Sequence, residues 1–546
     1  MRSHGDGGKF QLSLALPALF VSILVVLPFI NTAFTIDDVT FLLQARQALV
    51  DPLHPTAFEM VADGERIWLA DQLATGPVMA YLLVPAILSV SPEIVAHATQ
   101  IVFASLATIA TASLALQLGL DRRAAAACAL LVATAPPVLV MMATAMPDIP
   151  AMALGVAGID RFVAYARHRR LGTGILAAVL LTAAGLSRPH AMLLIPLATL
   201  FLLSPDLSRK PEKVSGWIGS LFPLLLAAVV TLIVIAVTKD PGSGTSVAGA
   251  TLRRSSAVNI LSNLPDFPIH WVLAFPLAFL WPVVRGRAFL RPRRTAAAAL
   301  LAFALGPGSG YFTLNVVWAV LLMIVLVHGI DVLLDIGLDA WRRGDRTQFA
   351  LFVWMLIPAA TATYVQLPSK LLILSAPAAA LLVVRRYTTG SQNAGKEKVF
   401  VLMVACSIVL GIMLLRANYS LGEIGRDGGK VVRLHTSSGN RIWADGAWGF
   451  QWYAMEAGAI PLAASPPYPT AGDLVVTGIQ SRVLAMTDVD RTLLSQKVYD
   501  RPGGRVHGDM AGFFTNHAGP LPWAWGTGEY ARIEVWRLGS EFRLIR

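Results

Sequence analysis

The chain has 546 residues, of which 55% are hydrophobic and 14% charged, with a mean hydropathy of +0.62. A soluble globule carries roughly 25% charged residues and a disordered chain carries few apolar ones, so both classes are excluded. The net charge of +11 belongs almost wholly to residues 1–416, because residues 417–546 hold 13 Lys and Arg against 12 Asp and Glu. In that first part the cations sit in short clusters between runs of about 20 nearly uncharged residues, the length a helix needs to cross a bilayer. The positive-inside rule accounts for such clusters, and a nucleic-acid partner is rejected.

In chain order, the first apolar run extends from Phe10 to about Ala33. It exceeds the roughly 7–15-residue apolar stretch of a signal peptide and lacks a clear small-residue cleavage site. It is therefore expected to be the first span, with the N-terminus cytoplasmic. An outer loop at 34–93 follows, within which Pro77 to Val90 is a difficulty. As a helix its 14 residues cover about 21 Å against a core of roughly 30 Å, and a crossing there would put Arg122 and Arg123 on the wrong face. It is expected to be a re-entrant or interfacial helix.

Basic clusters at Arg122/Arg123, Arg167/Arg169/Arg170, Arg209/Lys210/Lys213, Arg285 to Arg294, Arg342/Arg343/Arg346 and Arg385/Arg386/Lys396/Lys398 are each assigned to the cytoplasm. A span at about 95–118 leads to the first of these clusters, and pairs of crossings between them fall near 124–143 and 149–166, 172–187 and 189–204, 215–238 and 267–284, 295–306 and 311–330, and 348–366 and 370–386. A last run at 398–416 leaves the remainder outside. The expected fold is an all-α polytopic membrane domain over 1–416, with about 13 transmembrane helices, in the cell inner (plasma) membrane. A small C-terminal extracytoplasmic α/β domain over 417–546 follows. Short strand-like runs beginning at Asp473 and Ala531, Gly/Pro turns between them, and Trp443, Trp448, Trp452 and Tyr453 as core candidates support that second unit.

The polar residues gather at the outer ends of the spans. The first loop carries eight acids, Asp37, Asp38, Asp51, Glu59, Asp63, Glu65, Asp71 and Glu93, against Arg46 and Arg66. A second outer turn holds Asp148 after Pro147, a third holds Arg188, Pro189 and His190, and the loop 239–268 carries Arg253 and Arg254. An acidic pair directly after the first span suits a general base that deprotonates an incoming hydroxyl or amine. Cations on the same face suit a lipid-linked phosphate leaving group, because developing charge on phosphate needs fixed positive partners. Asp37 or Asp38 as base, with Arg253, Arg254 and Lys370 as phosphate partners, makes a sugar transferase that uses a membrane-borne donor. The plainer alternatives are that the acids are solvated ends of spans, that Asp148 is a helix N-cap beside Pro147, that His54 between two prolines only shapes its loop, and that His190 is an interfacial histidine. Trp271, Trp281 and Tyr311 fit an interfacial aromatic belt. Cys128 and Cys406 lie far apart in apolar runs, so neither a disulfide framework nor a zinc motif is available.

The stretch from Thr35 to Pro55, with its Ile-Asp-Asp start, resembles the first outer loop of bacterial membrane glycosyltransferases of the protein-mannosyltransferase and aminoarabinose-transferase superfamily, the glycosyltransferase-C fold. Met146-Pro-Asp-Ile-Pro resembles that family's second acidic turn. Gly185-Leu-Ser-Arg-Pro-His resembles a segment where many relatives carry Thr-Lys, and Leu367-Pro-Ser-Lys resembles a later Lys-bearing turn that opens a span. The resemblance covers most of residues 10–416. It implies that Asp37 is the base, Asp38 its acidic neighbour and Asp148 the acid of the second turn. It further implies an inverting transfer from a polyprenyl-phosphate-linked sugar donor to an extracytoplasmic acceptor, among membrane lipids. Arg188, His190, Arg253, Arg254 and Lys370 are the expected substrate-binding residues. Some relatives have Glu-Lys just before the Pro that opens the interfacial helix, but here Thr75 and Gly76 precede Pro77. A metal or phosphate role tied to that pair does not transfer, and divalent-metal dependence stays open.

The competing class is a polytopic transporter or flippase of lipid-linked sugars. Transporters place ionisable groups near the bilayer midplane, whereas these acids cluster at the outer ends, and no internal repeat is evident. A non-catalytic scaffold would need neither the acidic loop nor so large a membrane part.

Overall fold

The computed structural model describes residues 6–72, 75–204, 214–238, 255–286, 291–306, 316–364, 366–388 and 394–544. Among these, seven helical stretches are long and apolar enough to cross a membrane: Leu12–Phe29, Pro92–Gln117, Asp148–His168, Gly219–Val237, Val316–Arg343, Ser369–Thr388 and Glu397–Thr436. The helix Asp148–His168 lies innermost, packed between Pro92–Gln117 and Leu171–Ser187, and its small residues let those neighbours close on it.

Among the described residues several of the expected spans are not single regular helices, and proline explains much of the difference. Each ring removes a backbone N–H and clashes with the preceding turn. The run expected at 124–143 is two helices, Arg122–Ala133 and Pro136–Met141. The one expected at 267–284 becomes three short pieces, Asp266–Ala274, Pro276–Phe279 and Trp281–Arg285. The helix Arg346–Leu356 gives way at Pro358 to a 3₁₀ stretch, Ile357–Thr363. The expected interfacial helix is the ten-residue Val78–Ile87. At about 1.5 Å per residue it is too short to span a bilayer, and it packs against Asp38–Val50 and Pro92–Gln117.

The expected boundary at 417 falls inside a helix, Ala394–Thr436. Nothing breaks that helix at the end of the apolar run: Leu421, Ile424 and Val432 continue one buried face at helical spacing. Beyond it lies a mixed five-stranded sheet. Ile442–Asp445 runs parallel to Ile460–Pro461 and to Leu474–Thr477, while Ala531–Leu538 pairs antiparallel with both Leu474–Thr477 and the edge strand Arg491–Tyr499. Trp443 is fully buried among Leu462, Val475 and Val483, as expected of a core residue.

Trp452 and Tyr453 turn away from that core towards the first outer loop, and Trp448 turns towards a later part of the tail. Phe34 meets Trp452 and Tyr453 at ring-centroid distances of 5.9 and 6.4 Å. The Tyr453 hydroxyl accepts from the Phe34 N–H at 2.9 Å and donates to Glu93 at 2.7 Å. Trp448 packs edge-on to His507 at 4.5 Å. The helix Trp448–Glu456 can come this close because Gly449 has no side chain: a Cβ there would lie 1.8 Å from the Phe34 carbonyl oxygen. A second part of the tail, residues 503–526, reaches the membrane helices. His270 bonds the Pro520 carbonyl oxygen at 3.0 Å, Asn516 donates to Asn263 at 3.0 Å and to Asp266 at 2.5 Å, and the Phe513 carbonyl accepts from the Lys370 N–H at 3.2 Å. The tail is thus clamped to the loops that build the site.

Candidate active site

A cavity of about 450 Å³ opens between the first outer loop, the turn at 188–193 and the segment 360–371. Most of its wall surface is apolar, with Phe41, Met60, Ile67, Leu69, Leu193 and Leu371 contributing, while neutral polar side chains such as Thr40, Gln72, Thr361 and Tyr364 are interspersed and the charged groups are confined to Asp37, Arg188 and Lys370. Four of the eight residues singled out from the sequence line it: Asp37, Arg188, His190 and Lys370. Asp38 and Asp148 stand directly behind the wall. Arg253 and Arg254 lie outside the described residues, although Ser255, the next residue in the chain, is on the cavity wall.

The turn that presents Asp37 is strained and over-determined. Ile36 has φ +40°, a region where a β-branched side chain is a steric outlier. Such strain persists only when surrounding contacts impose it. Asp38 supplies them: its fully buried carboxylate accepts from the Thr35 N–H at 2.8 Å and from the Ala145 N–H at 2.7 Å. Thr35 meets Asn418 at 3.1 Å, and Asn418 donates to the Ala143 carbonyl at 3.2 Å. Asp38 therefore ties the loop to the turn at 143–145 and fixes its neighbour, without reaching the cavity itself.

Asp37 points into the cavity, its side chain 41% exposed, and the Lys370 ammonium donates to Oδ2 at 2.5 Å from a side chain only 4% exposed. Lys370 sits on a 3₁₀ stretch, Ser369–Ser375, that the tail holds through Phe513 and that Ser369 anchors to His270 at 3.1 Å. Arg188 reaches the cavity from the other side, held by Asp148 at 2.6 Å. Asp148 is 1% exposed and its other oxygen has no hydrogen-bond partner. It is the first residue of its helix, with Pro147 in the capping place and no side-chain cap bond, so its carboxylate serves Arg188 and is not an N-cap.

Two residues given no role from the sequence stand near the site: Thr75, on the cavity wall, and His507, close enough to Asp37 to feel its charge. Thr75 has a buried hydroxyl without a partner, and its neighbour Gly76 approaches Leu186 so closely that a Cβ would lie 2.2 Å from that carbonyl oxygen. No lysine fits there, which is a physical reason for the departure from the family's Glu-Lys pattern. His507, from the tail, is held down to about 4 by burial, opposed by the charge of Asp37. The charge of Asp37 is felt by His507 across 470 positions of chain, and no local motif announces the pairing. Among the described residues no group of three or more His, Cys, Asp or Glu gathers to hold a metal ion.

Burial pushes the Asp38 carboxyl up to about 7, against the pull of its two N–H donors. A raised carboxyl stabilises the fold fully below its ordinary value and loses that contribution as pH rises through the folded one. Asp38→Asn cannot accept from both N–H groups and is expected to cost about 1–3 kcal/mol. The difference in thermal midpoint between variant and parent should shift in favour of Asn between about pH 4 and pH 7, since the amide does not titrate. A difference independent of pH would show that Asp38 stays ionised throughout.

Residues 81–239 match the model of the dolichyl-phosphate-mannose-protein mannosyltransferase family, in agreement with the resemblance carried by Thr35 to Pro55. Nothing among curated proteins matches the chain. Among the solved structures similar to it are three that differ in size and bound groups. The oligosaccharyltransferase of Archaeoglobus fulgidus, tethered to an acceptor peptide containing the NVT sequon, is 13% identical over 83% of this chain and 64% of that one, with a TM-score of 0.45. ArnT from Cupriavidus metallidurans bound to undecaprenyl phosphate is 13% identical over 89% and 96%, at 0.44. The arabinofuranosyltransferase AftD from mycobacteria is 13% identical over 98% and 40%, at 0.39. The chain thus spans 64% of the length of the first of these. With TM-scores this low, the site's own geometry and the family-model match carry the functional reading.

Proposed function

We propose that this chain, which carries a mannosyltransferase-family domain over residues 81–239, is an integral-membrane glycosyltransferase that moves a sugar from a polyprenyl-phosphate donor to an acceptor outside the membrane. The observation that supports this reading best is the convergence of one carboxylate, Asp37, and two fixed cations, Arg188 and Lys370, on a single apolar-walled cavity. Apolar walls suit a polyprenyl tail, and fixed cations suit the phosphate it carries. Asp37 takes the acceptor's proton as the new glycosidic bond forms at the anomeric carbon. The bond from that carbon to the phosphate oxygen breaks, and the electron pair leaves on polyprenyl phosphate beside Lys370 and Arg188. Attack from the face opposite the phosphate inverts the anomeric centre.

Lys370 holds the Asp37 carboxylate at 2.5 Å, and a carboxylate so engaged is a poorer base. An incoming phosphate offers the ammonium a competing anion, so donor binding would draw Lys370 from Asp37 and free the base when it is needed. In proteoliposomes with a polyprenyl-phosphate sugar, free polyprenyl phosphate should accumulate in step with glycosylated acceptor, and NMR of the product should show the inverted anomer. Movement of the donor across the bilayer without its cleavage would favour the flippase class instead.

A further inference from the structure

A second cavity, of about 440 Å³, lies at the other end of the helix bundle, lined by Arg285, Arg291, Arg293, Arg294 and Arg342 with Asp335 and Asp339. Its distance from the candidate active site follows from the chain path. The helix Arg346–Leu356 and the 3₁₀ stretch Ile357–Thr363 begin beside it and end at the first cavity's wall, a rise of roughly 30 Å at 1.5–2 Å per residue. It therefore belongs to the face that the charge rule assigns to the cytoplasm.

Its acceptors are used up while donors remain. Asp335 receives Trp281 Nε1 at 2.9 Å, Arg285 Nη2 at 3.1 Å, and Arg294, and its Oδ2 lies 2.6 Å from Arg285 Nε as an ion pair. Asp331 takes Arg294 at 2.5 Å, and Asp339 is shared between Arg285 at 3.5 Å and Arg343 at 2.9 Å. The Arg285 side chain is 3% exposed, and among the described residues its Nη1 has no hydrogen-bond partner. A buried guanidinium with an open donor is costly unless an anion completes it. The helix Pro292–Leu305 also starts at this cavity, with no side chain capping its first turn among the described residues; the Arg294 and Thr295 N–H groups are taken by the Arg291 carbonyl, so what the helix adds is chiefly the positive end of its dipole.

The surroundings identify what brings the anion. Leu300, Leu301 and Phe303 on the helix Pro292–Leu305, and Val316, Val317, Val320, Leu321 and Ile324 on its neighbour, are exposed large apolar side chains, as lipid-facing surfaces are. Trp341, 73% exposed beside Arg342, stands where an interfacial tryptophan marks headgroup depth. A phosphate seated among the arginines would thus have its acyl chains lying along these apolar faces.

We infer that this cavity binds the phosphate of an anionic phospholipid headgroup, through Arg285 and the rim arginines Arg291, Arg293 and Arg342. Basic pockets between membrane helices at that face are suited to such headgroups, and guanidinium forks match phosphate oxygens in pairs.

The test uses the full chain purified from detergent containing equal phosphatidylglycerol and phosphatidylcholine, with bound lipid counted by native mass spectrometry. The parent should retain phosphatidylglycerol over phosphatidylcholine by about tenfold. The triple variant Arg291→Gln, Arg293→Gln, Arg342→Gln, whose sites are exposed and tolerate substitution, should retain the two nearly equally. A control, Arg167→Gln, Arg169→Gln, Arg170→Gln, removes the same charge at the same face outside the cavity and should keep the parental ratio. Equal loss in control and triple variant, or no preference in the parent, would overturn the site. If inorganic phosphate, and not phosphatidylglycerol, raises the thermal midpoint of the parent but not of the triple variant, the phosphate site stands and the lipid as its source is overturned.

Discussion

Replacing Asp37 with Asn lowers turnover by about 10²-fold or more, the usual contribution of a positioned general base, with normal expression and a donor KM near parental. The amide has nearly the volume of the carboxylate, and its oxygen still accepts from Lys370, so the wall keeps its shape and Lys370 its place. What the amide cannot do is take a proton. The loss therefore falls on kcat, the pattern of an interaction needed only in the transition state. Asp38→Asn acts differently, through stability, because the Asp38 carboxylate is spent on two backbone N–H groups and never reaches the cavity. Near-parental turnover of Asp37→Asn would remove Asp37 from the role of base. It would direct attention to His507, the tail residue whose charged form Asp37 favours.

How far the sequence could be read depended on whether the determinants were local. Asp37, Arg188 and Lys370 were legible because each stands in a polar turn between apolar runs, where a polar group at a span's end calls for an explanation. The helix Val78–Ile87 was legible from length and charge parity. The Pro-broken segments at 136, 276 and 282 were harder, because hydropathy averages over a kink and counts a run as one span. The overshoot of the helix Ala394–Thr436 past residue 416 was hidden because lower hydropathy was taken to end the helix, when only its surroundings change. Trp271 and Trp281 were placed in an aromatic belt, yet they are 1% and 3% exposed, and Trp281 donates to a buried aspartate. Least legible was the tail. The contacts of Phe513, Asn516 and Pro520 with the membrane helices pair residues about 140–250 positions apart, and no periodicity encodes such a pairing.

The pair Arg188 and Asp148 offers the sharpest separation between holding the fold and holding the donor. Arg188→Ala leaves the Asp148 carboxylate 1% exposed without its partner, and breaking a buried pair on one side costs about 3–5 kcal/mol. Expression and thermal midpoint should fall together, and lost activity in that variant would say little about substrate. Removing both charges changes the balance, since apolar residues of similar volume in place of a buried pair are often neutral or stabilising. The double variant Arg188→Met, Asp148→Leu should therefore recover most of the midpoint lost by Arg188→Ala. If Arg188 holds the donor phosphate, activity does not recover with it: the donor KM stays raised or kcat depressed, by about tenfold or more, the equivalent of one charge-assisted hydrogen bond of about 1.5–3 kcal/mol. Arg188→Lys should keep part of the activity, because charge remains while the paired geometry is lost. A double variant with both parental stability and parental kinetics would assign Arg188 and Asp148 to the fold alone, and leave Lys370 as the cation beside the leaving phosphate.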